Sequence, residues 1–160
     1  MIAQSKKELK KQQQKEDYQK TKNLIDNKDF VFEADWAISY KGKRVNIAGN
    51  AYTLILKRDA SIAFLPFYGR GYSGAGYGGD GGIKFEVKGV SYDREHNDKK
   101  TKTIIRYEVK DKSENYKIIL TVYSNGNADL SISSNNRSNM SYDGKIVLYK
   151  EKEEKEKDKN

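Results

Sequence analysis

The sequence predicts an all-β fold, either an antiparallel up-and-down barrel or a strongly curved sheet of about eight strands, with an N-terminal helix. Two observations carry this prediction. From Phe30 onward, large apolar residues recur at every second position, which is the period of a strand with one buried face. Turn-forming residues separate these runs without any helical crossover between them, so we expect each strand to pair with the next one.

The 160 residues divide into three predicted parts, of which one forms a core. Residues 1–27 are a polar helical segment in which Leu24 and Ile25 are expected to dock on the sheet, while the earlier part frays. Residues 28–149 form the all-β domain. Residues 150–160 contain no apolar side chain, so we expect a disordered charged tail.

Each strand is predicted from alternation. The first run places Phe30, Phe32, Ala34, Trp36 and Ile38 on the buried face. The later runs have their apolar positions at Tyr52, Leu54 and Leu56; Ile62 and Phe64; Ile83, Phe85 and Val87; Ile105, Tyr107 and Val109; Ile118, Leu120 and Val122; Ala128, Leu130 and Ile132; and Ile146 with Leu148.

Three short segments are predicted as turns. Asn125-Gly126 lies between two alternating runs and predicts a type I′ hairpin turn, which needs positive φ at both central residues. Asp143-Gly144 also fits a turn, with Tyr142 packed beneath it. The acidic run around His96, from Asp93 to Asp98, has the composition of a solvated hairpin tip.

The predicted functional surface is a long loop in which eight of the 13 glycines lie between Gly69 and Gly82. Ordering so much glycine costs entropy, so the loop is either mobile or held by a partner, and an inert connection is the alternative. The GxGxxG match at its start is followed by a strand, which excludes dinucleotide binding. The candidate binding residues are aromatic or basic: Phe67, Tyr68, Arg70, Tyr72 and Tyr77.

No catalytic residue, metal site or cofactor is predicted. The chain has no cysteine and a single histidine, His96, whose neighbours lack the oxygen-donor spacing and glycine of a calcium loop. Its carboxylates would serve a glycan-acting enzyme only if the sheet closed with its polar faces inward. By alternation the following carboxylates face solvent instead: Glu33, Asp35, Glu86 and Glu108.

Charge and the N-terminal sequence bear on partners and compartment. The net charge of +8 is spread between a basic N-terminal arm and the domain, without the concentrated basic and aromatic face of a nucleic-acid binder. No stretch is apolar for long enough to span a bilayer. The start, Met1-Ile2-Ala3-Gln4, is similar to the stub left by a removed signal peptide, which predicts an exported, periplasmic or envelope-associated protein.

Three segments resemble the uncharacterised domain of unknown function family 4251, which is found in secreted or envelope proteins of Bacteroidota. These segments are Phe64–Arg70, the strand start at Gly81–Phe85, and Asn136–Ile146. The resemblance covers residues 17–147. It implies an export signal and a bacterial lineage, and it brings no catalytic residue to this chain.

The sequence therefore predicts an exported, non-enzymatic binding protein, expected to be a monomer. Its partner is an unknown small apolar molecule or lipid, bound beside the glycine-rich loop of an open barrel. The alternative is a protein-interaction or envelope-assembly module that uses the loop tyrosines or a strand edge.

Overall fold

The computed structural model describes residues 5–68, 82–112 and 114–150. These ranges contain one α-helix and ten β-strands. Their bounds are α1 Lys6–Asn27, β1 Phe30–Ser39, β2 Arg44–Asn46, β3 Thr53–Leu56, β4 Ala60–Leu65, β5 Ile83–Lys88, β6 Asp93–Asn97, β7 Lys102–Asp111, β8 Glu114–Tyr123, β9 Asn127–Ser134 and β10 Met140–Leu148.

All described strand pairs are antiparallel, in the spatial order β5-β4-β3-β1-β10-β9-β8-β7-β6, with β2 paired to β1. The first and last long strands, β1 and β10, pair with each other, as closure of an up-and-down barrel requires. Strands β5 and β6 follow each other in the chain but lie at opposite ends of the sheet. The sheet is therefore a half-barrel, which confirms the predicted all-β, strongly curved architecture.

The inner face of the half-barrel is filled with side chains. Phe32, Leu54, Leu120 and Tyr142 have no measurable exposure, and one continuous cluster of buried apolar residues joins the two halves of the sheet. A core packed in this way has the density of a protein interior rather than the space of a ligand cavity. It stabilises the curvature of the sheet.

Helix α1 covers one end of the half-barrel, which we call the helix end. Its N-cap is Ser5, whose hydroxyl accepts a hydrogen bond from the Glu8 amide. Ile25 is buried and Leu24 packs beside it, as predicted. Fraying of the earlier part was predicted but does not extend to Tyr18. That residue is 3% exposed, and its hydroxyl donates to Asp98 Oδ1 at 2.7 Å.

The predicted buried face is wrong for the second half of β1, because the strand contains a β-bulge. The register with β10 shifts between Ala34 and Trp36, so Ala37 is buried while Trp36 and Ile38 lie on the outer face. Gly144, opposite Ala34, lies inside strand β10 and not in the predicted turn. A Cβ at this glycine would collide with the Glu33 carbonyl group, so the bulge requires glycine here.

The predicted face of β4 is also wrong. Ser61, Ala63 and Leu65 point inward, whereas Ile62 and Phe64 lie on the outer face. The buried Ser61 has a polar partner inside, because Tyr107 reaches across the interior and its hydroxyl lies 3.0 Å from Ser61 Oγ. The register that places Ser61 inside also places Leu65 inside and Phe64 outside, so the hydrophobicity of Ile62 and Phe64 alone selects the wrong face.

Two predicted turns differ in detail. The β8–β9 hairpin closes with Gly126 N–H donating to the Tyr123 carbonyl, and its positive φ of 89° falls at Gly126, after a turn centred on Ser124 and Asn125. This is a three-residue loop rather than a type I′ turn. The predicted hairpin tip at Asp93–Asp98 is instead mostly strand β6, which pairs with β7 at the edge of the sheet.

Replacing Gly144 with alanine should lower the free energy of unfolding by about 2 kcal/mol or more, because the bulge backbone must move to admit the Cβ. Urea unfolding followed by the fluorescence of Trp36, the single tryptophan, measures the change. Gly89→Ala is the matched control. Its φ is +78° and nothing lies within 4 Å of its Cβ, so about 1 kcal/mol of backbone strain is expected. Equal losses in both variants would contradict the assigned collision.

Candidate functional site

The two ends of the glycine-rich loop enter the described structure at the end of the half-barrel opposite helix α1. We call this place the loop root and define it by Pro66, Phe67, Gly82, Arg137 and Tyr142. Pro66 and Phe67 follow β4, Gly82 precedes β5, and Arg137 and Tyr142 come from the β9–β10 connection and β10. The three segments that carry the family resemblance therefore meet at one point.

Arg137 holds the loop root together. Its guanidinium binds Glu114 with two bonds, from Nε at 2.7 Å and from Nη2 at 3.1 Å, and its Nη1 donates to the Gly82 carbonyl at 3.1 Å. The same group lies over the Phe67 ring, 5.1 Å from its centre. One planar cation thus contacts both loop ends, a geometry that a lysine could not reproduce.

Glu114 is almost as buried as its partner, with side-chain exposures of 12% and 10% for Glu114 and Arg137. Ser134 and Tyr116 donate their hydroxyls to the same carboxylate. Burial alone raises the pKa of Glu114, but the hydrogen bonds from Arg137, Ser134 and Tyr116 outweigh it and hold that pKa below its usual range. The carboxylate is therefore charged, and its oxygens accept hydrogen bonds from Arg137, Ser134 and Tyr116.

Tyr142 fixes the first end of the loop. Its ring has no measurable exposure, and its hydroxyl donates to the Pro66 carbonyl at 2.6 Å. The sequence placed Tyr142 beneath a turn, whereas it lies within strand β10 and reaches across to the end of β4. Because both ends of the loop are anchored in the core, the loop root is a preorganised surface.

The predicted binding residues have different outcomes. Phe67 packs partly buried against the core, and Tyr68 is 42% exposed beside it. Arg70, Tyr72 and Tyr77 lie outside the described residues, as does the loop from 69 to 81. Sequence reasoning missed Arg137 and Glu114. Arg137 lies in Asn136–Ile146, one of the segments that carry the family resemblance, whereas nothing in the sequence marked Glu114.

Aromatic side chains continue from the loop root onto the outer face of the sheet. Phe64 is 43% exposed and stacks on Tyr52 with ring centres 5.5 Å apart. The Lys84 ammonium lies 5.0 Å from the centre of the Phe64 ring. Stacking fixes the orientation of the ring while leaving much of its surface accessible, as is typical of residues that anchor protein interfaces.

The outer face also carries a pair of neighbouring carboxylates. Asp129 and Asp143 lie directly opposite each other across β9 and β10. Burial and the neighbouring Asp129 raise the pKa of Asp143, against the effect of Arg44 at 3.2 Å.

The four carboxylates considered from sequence do not converge. In the strand registers, Glu33 lies opposite Lys145 and Glu108 lies opposite Lys117. Glu86 lies opposite Ile62, in strand β5 at one edge of the sheet. Asp35 lies at the β1 bulge, where its carbonyl accepts a hydrogen bond from the Ile47 amide. All four are partly or fully exposed.

His96 is held between the helix and the sheet. Its Nδ1 lies 2.7 Å from Thr103 Oγ1, and its Nε2 lies 3.0 Å from Asp26 Oδ1. Across residues 5–68, 82–112 and 114–150, no three or more histidine, cysteine or acidic side chains converge as metal ligands would. In the same ranges, no helix combines the length and apolar character that crossing a membrane requires.

Comparison with known proteins identifies a family and a fold. The model of the domain of unknown function DUF4251 matches residues 12–146. The crystal structure of a DUF4251 family protein from Bacteroides eggerthii superposes with a TM-score of 0.59 and 18% identity, covering 82% of this chain and 87% of that one. At that identity the likeness concerns the fold alone. No curated protein matches the sequence.

Replacing Arg137 with methionine should lower the free energy of unfolding at pH 7 by about 3 kcal/mol, because Glu114 is left buried without its cation. The depressed pKa of Glu114 means that its stabilising contribution is complete above the ordinary glutamate pKa and is lost as pH falls through the folded-state value. The gap between wild type and variant, measured by urea unfolding, should therefore narrow in acid.

Arg106→Met is the matched control for that experiment, since Arg106 pairs with Glu95 on the exposed surface. We expect a change within about 0.5 kcal/mol there. The double variant Arg137→Met with Glu114→Leu should recover part of the stability. A gap that is independent of pH, or no recovery in the double variant, would contradict the role given to the ion pair.

Replacing Asp129 with asparagine should raise the free energy of unfolding at pH 7 by about 0.5 kcal/mol, because it removes a like charge beside Asp143. The amide oxygen can still accept the Tyr123 hydroxyl. The raised pKa of Asp143 means that stability is lost as pH rises through that value, so the gain in the free energy of unfolding should disappear in acid, once Asp143 is protonated. Thermal unfolding at neutral and acidic pH measures it, and an equal gain at both would be evidence against the repulsion.

Proposed function

We propose that this chain, which belongs to the DUF4251 family of domains of unknown function, is an exported, non-enzymatic protein-interaction module of the cell envelope. The partner binds the loop root and the adjacent outer-face aromatic residues. One observation carries the proposal: Phe64 and Tyr68 are more than two-fifths exposed on a backbone whose intervening Pro66 is buried and anchored by Tyr142.

Exposed aromatic rings on a rigid support suit a protein interface. Phenylalanine and tyrosine supply a large contact area with few rotatable bonds, so little entropy is lost on binding. The contacts of Arg137 with Gly82 and Phe67 reduce the entropy lost on binding further, because they fix both ends of the loop before a partner binds. Arg70, Tyr72 and Tyr77, in the loop itself, remain predicted contacts.

The packed interior favours this function over the carrier of a small apolar molecule or lipid. Within the described residues one cluster of apolar side chains fills the concave side, and a carrier needs that volume for its ligand. Export remains part of the proposal because the resemblance to the DUF4251 family implies it, and fractionation of the producing cells tests it.

Partner capture tests the interaction surface. A photoreactive phenylalanine analogue at position 64 should cross-link the full chain to a discrete envelope protein, and the same analogue at position 40 should not. Tyr40 is 47% exposed but lies in the β1–β2 turn, which makes it the matched control. Replacing both Phe64 and Tyr68 with serine should lower the yield of captured partner at least tenfold, as expected for aromatic anchors.

The circular dichroism spectrum of the double serine variant should match that of wild type, because both side chains are exposed. An undiminished yield from the folded double variant, or equal cross-linking from positions 40 and 64, would overturn the proposed surface. Recovery of a bound lipid in place of a protein would favour the carrier.

A further inference from the structure

A second candidate site lies at the helix end, far from the loop root. A pocket of about 180 Å³ opens where the end of α1, the start of β1, the β3–β4 turn and β6 meet. We call it the helix-end pocket. Its floor is made by the buried side chains of Phe30, Leu56 and Ile105, and its rim by charged groups.

The rim of the helix-end pocket carries an excess of positive charge. Lys28, Lys57, Arg58 and Arg94 border it, against Asp26 and Asp29. The four cations come from three elements: Lys28 is the helix C-cap, Lys57 and Arg58 are consecutive residues of the β3–β4 turn, and Arg94 lies in strand β6. They therefore surround the opening instead of forming a row on one exposed face.

The acidic groups of the pocket already contact other residues, whereas three of the cations have no carboxylate partner among the described residues. One of these three, Arg94, lies with its guanidinium 5.8 Å from the centre of the Tyr92 ring. Asp26 contacts His96 at 3.0 Å, and Asp29 Oδ1 accepts the Arg58 amide at 3.0 Å. In the part of the chain that the structure describes, no carboxylate lies within 4 Å of the charged groups of Lys28, Arg58 or Arg94.

We propose that the helix-end pocket binds a small phosphate monoester. Guanidinium groups recognise phosphate oxygens with paired hydrogen bonds, and three cations on different sides match a tetrahedral group better than a planar carboxylate. A cavity of about 150 Å³ accepts benzene, so this pocket has room for a phosphate carried on a two- or three-carbon alcohol. The site goes beyond the proposed interaction and is independent of it, since β4 separates the pocket from the loop root.

Titration of the full chain with glycerol phosphate, followed by amide NMR in about 150 mM salt, tests this site. The expected result is saturable shifts at residues 28, 58 and 94 with a dissociation constant of about 1 mM or below. Arg94→Gln should weaken binding at least tenfold, as loss of a charged hydrogen bond does. Asp29→Asn keeps an oxygen for the Arg58 amide but removes a negative charge, so it should strengthen binding several-fold.

Arg44→Gln is the matched control, because Arg44 is an exposed arginine paired opposite Ile38, at the other end of β1 from Phe30. Its affinity should equal that of wild type. Glycerol should cause no shift, and succinate should bind at least tenfold more weakly. Succinate binding as tightly as glycerol phosphate, shifts spread over all basic residues, or equal effects of Arg44→Gln and Arg94→Gln would each overturn the proposal.

Discussion

The missing backbone ladder between β5 and β6 is the constraint on which the architecture depends. A barrel that is open along one seam must be held closed by side chains, and here tyrosines do so. Tyr107 reaches Ser61 across the interior at 3.0 Å, and Tyr92 packs edge-on against it with ring centres 4.7 Å apart while donating to the Ala60 carbonyl. Burial raises the pKa of Tyr107, which keeps its phenol neutral inside the core. Because these rings occupy the interior, ligand chemistry is confined to the ends and outer surface of the half-barrel.

Different interactions cover the core at the two ends of the half-barrel, the helix end and the loop root. At the helix end, α1 closes the core through Ile25 and Tyr18, and its polar contacts to Asp98 and Ser124 satisfy groups in the strand turns. At the loop end, an ion pair performs the closure. A buried ion pair contributes little net stability compared with apolar packing. It does specify geometry, because bidentate hydrogen bonds fix the orientation of the guanidinium and the carboxylate as well as the distance between them.

The sequence was sufficient for features that depend on alternation and insufficient for those that depend on shape. The strands around Leu54, Leu120 and Leu130 follow from period two, since each has one apolar face. Strand β6 was missed because it has no apolar alternation. An edge strand can form without it, since the backbone hydrogen bonds to its neighbour β7 hold it in the sheet. The bulge beside Gly144 and the inward face of β4 depend on contacts between distant segments, the Glu33 backbone against Gly144 and the Tyr107 hydroxyl against Ser61. The role of Arg137 could not be predicted, because its partners Glu114 and Gly82 are distant in sequence and come close to it only in the folded structure.

The pairing of β1 with β10 has a consequence for biosynthesis. These strands begin at residue 30 and end at residue 148, so the centre of the sheet unites opposite ends of the domain. Contacts so distant in sequence form slowly. A nascent chain cannot complete the sheet before its last strand leaves the ribosome, and until then β1 and β9 each expose an edge without a partner. The two parts of the sheet, β1–β5 and β6–β9, therefore join only after β10 has emerged, and β10 is the strand that connects them.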